Sequence, residues 1–329
     1  MNIFTTIRGT YSNHFNLIDD ILINRTKGKS ELANKIIENL VSFKGKRIRP
    51  LLVIIANEIL GNINGNNDYL KIAAAIELLH NATLLHDDVI DDSKLRRGRK
   101  TANYEWGNKA GILSGDLLLA TSFQIIIEVG QMDILKSIAN ASKVMSNGEI
   151  SQLSNIGNIN LSKEQYLEVI YAKTAILFSV ATEAGAILSG GDKEKILSLK
   201  DFGKNLGMAF QIMDDILDYD SNKNKIGKNI ADDFIEGKVT IPIILLKDVC
   251  DDGEKIFLKN IFDVNYDRSL NKGDFDKVNS MISKYNIISK SQDLANYYVN
   301  MAQENLSSFS NSCHKDNALS ILNYVLNQN

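Results

Sequence analysis

Two groups of aspartates in this chain share one spacing. Asp87, Asp88 and Asp91 stand in LLHDDVIDDSKLRRG, and Asp214, Asp215 and Asp218 stand in FQIMDDILDYD. On a helix, residues three, four and seven apart share a face. Asp87 and Asp91 then fall on a stripe with His80, and Gln211, Asp215 and Asp218 on another with Asp214 beside it. Carboxylates crowded on one face repel each other. A hard divalent cation removes that cost, and oxygen donors suit magnesium, which keeps waters and shares its shell with phosphate oxygens. Cations follow each group: Lys94, Arg96, Arg97, Arg99 and Lys100 after the first, Lys225, Lys228 and Lys238 after the second. Arginine grips phosphate through two donors at once. One such cluster reads equally well as a solvated charged helix end. Two with the same spacing, each with a basic partner, fit the walls of one site for a diphosphate head bridged by several magnesium ions.

A third basic group lies upstream, in FKGKRIRP (residues 43–50). Gly45 breaks a helix and Pro50 suits the first turn of the next, over 51–60. Lys46, Arg47 and Arg49 then sit beside a helix N-terminus, where free N–H groups and the helix dipole add to their charge. Lys46 and Arg49, three apart, could hold one anion together. A solvated basic loop is the plainer alternative.

The elements that must position these residues are helical. The chain has 329 residues and only two prolines, and its Leu, Ile, Ala, Glu and Lys content favours long helices. Periodic apolar residues predict two helices over 11–42, separated by a polar link at 24–30. They also predict a helix from a cap at Asp68 to about Ser93, an apolar helix over 110–130, and another over 132–153. Ser162 and Gln165 predict a capping box for a long helix to Leu188. Gly190 and Gly191 end that helix and Asp192 caps the next. The tail, 251–329, reads as helical packing. The apolar runs 110–129 and 174–188 are interrupted by Asp116, Glu128 and Glu183, so they read as core helices and no transmembrane segment is expected. A net charge of −3 offers no global field for nucleic acid, and none is expected as a partner. Two cysteines make no disulfide framework, and the N-terminus lacks the apolar core of a signal peptide, so a reduced, cytoplasmic location is expected. No HExxH or His/Cys spacing supports zinc.

GKRIRP (45–50), LLHDDVIDDSKLRRG (84–98), Lys173-Thr174, FQIMDDILD (210–218) and GKNIADDFIEGKVTIP (227–242) occur in this order. With them the sequence resembles the trans-isoprenyl diphosphate synthases over residues 40–245. The resemblance implies an all-α fold in a single domain spanning 1–329, a large helical bundle around a deep central cavity with the two aspartate motifs facing each other at its mouth. It also implies a magnesium-dependent homodimer. One departure is Ala231, where many members carry glycine; the change looks small.

The resemblance also implies roles. Asp87, Asp88, Asp91, Asp214, Asp215 and Asp218 would hold magnesium, as three ions, on an allylic diphosphate such as farnesyl diphosphate. Arg96 would bind that diphosphate with Lys173, Lys228 and Lys238. Lys46, Arg49, His80 and Arg97 would bind isopentenyl diphosphate. Thr174 and Gln211 would line the reacting carbon. His86 lies off the stripe and reads as structural.

Product length would depend on residues one turn before Asp87. Ala82 and Thr83 are small, which leaves a passage open, and Phe123, Ile126 and Ile127 are candidates for a deeper floor. A long product follows, most like that of the octaprenyl diphosphate synthases that supply quinone side chains, with peripheral membrane contact for its release. Three alternatives stand beside this: a shorter-chain farnesyl or geranylgeranyl synthase, a non-catalytic subunit of a heteromeric synthase, and a terpene cyclase. The last normally lacks both the second aspartate motif and the GKRIRP loop.

Overall fold

Helix is the repeated element among the described residues, and the sole exception is one two-stranded hairpin. The computed structural model describes residues 3–42, 45–96, 98–219, 231–268 and 272–327. The helices before the hairpin are α1 (Ile3–Thr10), α2 (Ser12–Thr26), α3 (Glu31–Ser42), α4 (Ile48–Ile59) and α5 (Asp68–Ile90). Strands β1 (Leu95–Arg96) and β2 (Arg99–Lys100) follow. Next come α6 (Ala102–Trp106), α7 (Asn108–Val129), α8 (Met132–Ser154) and α9 (Lys163–Ile170). A π-helical turn, Tyr171–Ala175, joins α9 to α10 (Ile176–Ser189). The rest are α11 (Lys193–Asp218), α12 (Asp232–Ile235), α13 (Ile241–Val249), α14 (Asp252–Ile261), α15 (Lys272–Lys284), α16 (Ile287–Asn305) and α17 (Cys313–Leu326).

The chain divides into two units. One comprises Met1–Ala139, Val180–Lys200 and Ser308–Ile321; the other comprises Asn140–Ser179, Asp201–Ser307 and Leu322–Asn329.

The first unit is built on α5. Its residues Tyr69, Leu70 and Ile72 to Leu79 are buried on every side, which suits a central helix. Helix α7 runs antiparallel to it. Gly111 meets Val89, Gly115 meets His86, and Ser122 Oγ donates to the Ala75 carbonyl at 2.9 Å. A methyl group at Gly115 would overlap the His86 ring, so the missing side chain is what lets the helices approach. His86 is thus a packing residue, in contact with the Ile112 carbonyl at 3.2 Å.

In the second unit the π-helical turn is wider than α-helix, and a glycine makes room on each side of it. A Cβ at Gly148 of α8 would lie 2.5 Å from Ala172 Cβ, and one at Gly207 of α11 would lie 2.5 Å from Ala175 Cα. Phe234, Phe262 and Phe275 pack together beneath the end of α11, with ring centroids 5.8 and 5.5 Å from Phe234.

Several boundaries differ from the sequence reading. The first ten residues carry a helix, α1, that apolar spacing did not single out. Helix α4 begins at Ile48 because Arg47 takes a left-handed conformation, φ 47°, and starts it three residues early. Asp68 is the first helical residue rather than a cap, and its carboxylate pairs with Lys71 at 2.8 Å. The capping box at Ser162 and Gln165 forms, but the helix it opens passes into the π-helical turn. Asp192 caps α11 through the Lys195 N–H at 2.9 Å. By length and composition Asn108–Val129 and Lys163–Ser189 could cross a membrane; 44% and 83% of their most apolar windows are buried in the protein.

Candidate active site

The end of α5 presents one open face. His80, Thr83, Leu84 and Asp87 are partly exposed and Asp91 is exposed, while Ala82, Leu85 and Asp88 are buried. The open positions are spaced by three, four, seven and eleven from His80, as a helix requires. His80, Thr83 and Leu84 therefore lead along this face to two carboxylates.

The six aspartates expected to hold metal divide at this point. Asp88 is 4% exposed, and its Oδ1 accepts from Arg96 Nε at 2.8 Å. Burial raises its carboxyl above the usual range, and the Arg96 guanidinium pulls it back down. Asp88, expected as a ligand, lies one residue round the helix from Asp87, points inward and holds Arg96. The α5 C-terminus is tied down as well. Asn103 Nδ2 donates to the carbonyls of Asp88 at 2.9 Å and Ser93 at 3.1 Å. Gly98, at φ +79°, turns the chain from β1 to β2, so that Arg96 pairs with Arg99 across the hairpin. Arg97 lies outside the described residues.

The upstream basic loop is less open than the sequence suggested. Arg47 is 6% exposed and forms an ion pair with Asp19 of α2, so it braces the loop. Arg49 sits in the first turn of α4; burial lowers its guanidinium to about 10, and nearby Glu77 opposes that shift. Lys46 is partly exposed, with its ammonium 5.7 Å from the centre of the Phe4 ring.

The second acidic group lies at the end of α11. Asp214 and Gln211 are partly exposed; Asp215 and Asp218 are 4% and 6% exposed. Asp218 Oδ2 accepts from the Asp233 backbone N–H at 3.0 Å, which ties α11 to the start of α12. Asp215 accepts from Gln211 Nε2 at 2.8 Å and from the Tyr166 hydroxyl at 2.7 Å. Burial, reinforced by Asp233, raises the Asp215 carboxyl well above the usual range, while these two hydrogen bonds lower it. So Asp215 and Asp218, expected as metal ligands, are both inward and engaged by protein donors.

Thr174, in the π-helical turn, donates to Gln211 Oε1 at 2.6 Å. Lys173, one residue earlier, points to α8, within 3.3 Å of Glu149 and 3.2 Å of Gln152. Lys238 pairs with Glu236. Lys228 lies outside the described residues. Lys173, Gln211, Asp215 and Lys238 line a cavity of about 90 Å³ with Tyr166 and Asp233. Each described cation expected on the allylic diphosphate thus has a carboxylate of its own: Asp88 for Arg96, Glu149 for Lys173, Glu236 for Lys238. Tyr166, Glu149, Glu236 and Asn103 were not read as site residues. Tyr166 and Glu149 lie tens of positions from their partners and Asn103 bonds to backbone, so no local spacing announces these three, whereas Glu236 stands two residues before Lys238.

The donor set fits magnesium. Among the described residues no three acidic, histidine or cysteine side chains converge on one point. The open carboxylates, Asp87, Asp91 and Asp214, come in ones and twos. Magnesium accepts one or two carboxylates where phosphate oxygens and water complete its shell.

Two helices of this chain, α5 and α11, end in acidic groups of one spacing, and the described cations Arg96, Lys173 and Lys238 each hold a carboxylate. The sequence profile of the polyprenyl synthetase family matches residues 30–279, and the chain belongs to that family. It is 45% identical over 205 residues to the octaprenyl diphosphate synthase of Haemophilus influenzae; the match spans 62% of each chain. The fold is similar to that of a decaprenyl diphosphate synthase from Rhodobacter capsulatus, with a TM-score of 0.92, 33% identity and 99% of both chains covered. A polyprenyl synthase from Caulobacter crescentus, complexed with calcium and isoprenyl diphosphate, gives a TM-score of 0.92 at 35% identity, with 98% of this chain and 97% of that one covered.

Proposed function

We infer that this chain is a long-chain trans-polyprenyl diphosphate synthase, a prenyltransferase that adds isopentenyl diphosphate repeatedly to an allylic diphosphate. The observation that carries the reading is the open face of α5, where the small Thr83 and the apolar Leu84 lead to Asp87 and Asp91. A substrate with an apolar tail and a diphosphate head needs that polarity. Family membership and the octaprenyl and decaprenyl relatives support it.

In the reaction the allylic C–O bond breaks with both electrons leaving on the diphosphate oxygen. The electrons of the isopentenyl double bond then form the new C–C bond, and a proton leaves to the released diphosphate. Bound magnesium supplies charge that stabilises the departing diphosphate. Asp87, Asp91 and Asp214 hold it, as three ions in our reading. Arg96, Lys173 and Lys238 bind the diphosphate oxygens, each held ready by its own carboxylate. Lys228 falls in the same group by sequence. Lys46, Arg49, His80 and Arg97 bind isopentenyl diphosphate. Thr174 and Gln211 offer oxygen lone pairs to the electron-deficient carbon and are poor nucleophiles, so the cation survives to react.

Farnesyl diphosphate is the primer and an octaprenyl chain for a quinone is the product we propose. Thr83, on the open face with Ala82 behind it, is the gate; Phe123 and the buried Ile126 are the floor. Ile127 is withdrawn from the floor: it is 62% exposed, on an outer stripe of α7 with Leu113 and Leu117. That apolar stripe supports a homodimer. The chain acts in the cytoplasm as one domain, with peripheral membrane contact for product release. Neither structural unit is continuous in sequence, and the family match crosses both; these support the one-domain reading.

The test is incubation with magnesium, radiolabelled isopentenyl diphosphate and farnesyl diphosphate, followed by chain-length analysis. A ladder ending in one long polyprenol is expected, and Asp87→Ala should abolish it while leaving the circular dichroism unchanged. Elongation retained in Asp87→Ala would remove the metal assignment. No elongation by the folded wild type with any allylic primer would favour a non-catalytic subunit.

A further inference from the structure

Helix α12 has four residues, too few to stand alone, so its end is fixed by what surrounds it. Gly237, at φ +74°, closes it. The Gly237 N–H donates to the Phe234 carbonyl at 3.0 Å and the Lys238 N–H to the Asp233 carbonyl at 2.9 Å. Two such bonds around a left-handed glycine end a helix in one defined way, and they set where the Lys238 side chain leaves the backbone. Glu236 and Lys238, which form an ion pair, stand on either side of this glycine. Two distant segments meet the glycine. The Gly237 carbonyl accepts from the Gly157 N–H at 2.9 Å. The guanidinium of Arg268, from the segment after α14, lies where a side chain on Gly237 would be: a Cβ there would come 2.8 Å from Nη1 and 2.9 Å from Cζ.

Arg268 is 7% exposed. Its donors serve its own segment, Nη2 to the Asp263 carbonyl at 2.9 Å and Nη1 to the Tyr266 carbonyl at 3.4 Å, and the centre of the Phe262 ring is 5.5 Å from Cζ. Nε meets no acceptor, and among the described residues no carboxylate lies within ion-pair distance of the guanidinium. Arg47, which is equally buried, has Asp19. A buried charge without a counter-ion costs more than an apolar side chain of the same length, so packing alone does not call for arginine here. What arginine adds is a flat, rigid fork that binds two carbonyls and still lies close against a glycine.

We propose that Arg268 is a positioning residue for Lys238: its guanidinium, fixed by the Asp263 and Tyr266 carbonyls, bears on Gly237 and holds the Glu236–Lys238 turn in the conformation that presents the Lys238 ammonium to the allylic diphosphate. This rests on the prenyl-transfer reading above. Arg268 lies beyond residues 40–245, which carry the sequence resemblance, and reaches the site only through the backbone of Gly237.

Arg268→Met fills the space without the fork or the charge. The KM for the allylic diphosphate should rise about fivefold, the cost of ordering one lysine side chain on binding. The KM for isopentenyl diphosphate, kcat and the magnesium half-saturation should stay within about twofold. Calorimetry with magnesium and a thiolodiphosphate analogue of farnesyl diphosphate, which binds without ionising, should show the same fivefold loss. Lys238→Met should raise the allylic KM by at least as much, and adding Arg268→Met to it should bring no further rise. A wild-type allylic KM and analogue affinity in Arg268→Met, a loss confined to kcat, or a rise that adds in full to that of Lys238→Met would overturn the proposal. If Arg268→Met does not fold, Arg268→Lys, which keeps the charge and loses the fork, takes its place, and the same results decide. An inactive wild type would remove the prenyl-transfer reading and this proposal with it, whereas an unaltered variant beside an active wild type removes the proposal only.

Discussion

Replacing Asp88 by asparagine separates two roles that the repeated aspartate spacing confounds. Asp88 is buried and accepts from Arg96 Nε at 2.8 Å, while its neighbour Asp87 lies on the open face. Asparagine keeps the shape and an acceptor oxygen but loses the charge. A hydrogen bond to a charged group contributes about 1.5–3 kcal/mol, against about 0.5–1.5 for a neutral one. Arg96 has a side-chain exposure of 39%, so the lower end of that difference applies, about 1 kcal/mol. Part of it is returned, because a buried carboxylate no longer has to be desolvated; the melting temperature should move little. The effect falls on Arg96, which loses its preset orientation and must be ordered by the substrate. An arginine held by one weaker bond gives up about 1–1.5 kcal/mol in binding, or roughly a five- to tenfold rise in KM for the allylic diphosphate. The magnesium half-saturation should not change. Steady-state kinetics over a magnesium series reads both quantities, with Asp87→Asn as the contrast whose magnesium requirement should rise steeply. If Asp88→Asn raised the magnesium requirement tenfold and left KM alone, Asp88 would be a metal ligand and its inward position would have misled us.

Other variants probe the scaffold. Ala231 is held at φ +77°, where a side chain costs about 1 kcal/mol and glycine nothing; Ala231→Gly should therefore raise the melting temperature, and an unchanged or lower value would count against the strained turn. Thr83→Phe places a ring on the open face of α5 one turn from Asp87 and should shorten the polyprenol; an unaltered product length would move the gate elsewhere. Glu254 accepts from Lys284 at 2.8 Å and from Tyr285 at 2.7 Å, and these bonds pull its carboxyl down to about 2 from an ordinary value of 4.5. A lowered folded-state pKa stabilises above the unfolded value, and the gain is lost as pH falls from about 4.5 towards 2. Glu254→Gln should thus melt below the wild type at pH 6, with the gap closing on acidification; a gap constant down to pH 3 would contradict the pairing.

The parts of the fold legible in sequence were those set by short-range chemistry. The Ser162–Gln165 box and the Asp192 cap each bond a neighbour three residues away, and both form. Asp68 had the right type and place for a cap, but Lys71 three residues on competes for its carboxylate. Arg47 shows a longer-range failure. It sits in a basic loop that reads as an anion site, yet Asp19, in a different helix, claims it. The small cost assigned to Ala231 was underestimated for a similar reason: the sequence names the residue but not its φ, and a positive φ turns a one-methyl change into backbone strain.

The two D-D-x-x-D groups carry the sharper lesson, because their identical spacing suggests identical use. A helix turns about 100° per residue, so the first and last aspartates of each group lie about 40° apart and the middle one lies at the edge of the face they share. In the first group that rule suffices: Asp87 and Asp91 are open, and Asp88 is buried against Arg96. In the second it does not. Asp218 shares a face with Asp214, yet it is 6% exposed and accepts the Asp233 N–H from the chain that follows. What differs is the downstream connection. The first group runs into an exposed hairpin, and the second is met by α12. Local periodicity therefore identifies which carboxylates share an outward face, and tertiary contacts decide which of them are turned inward. The cations obey the same division. Arg96, Lys173 and Lys238 were found by type and position, but the carboxylates that hold them come from the preceding helix, another helix and a turn. A positive group held by its own carboxylate brings less net charge to the diphosphate and more orientation. We therefore expect diphosphate affinity in this protein to depend on the geometry of these pairs more than on the number of basic residues.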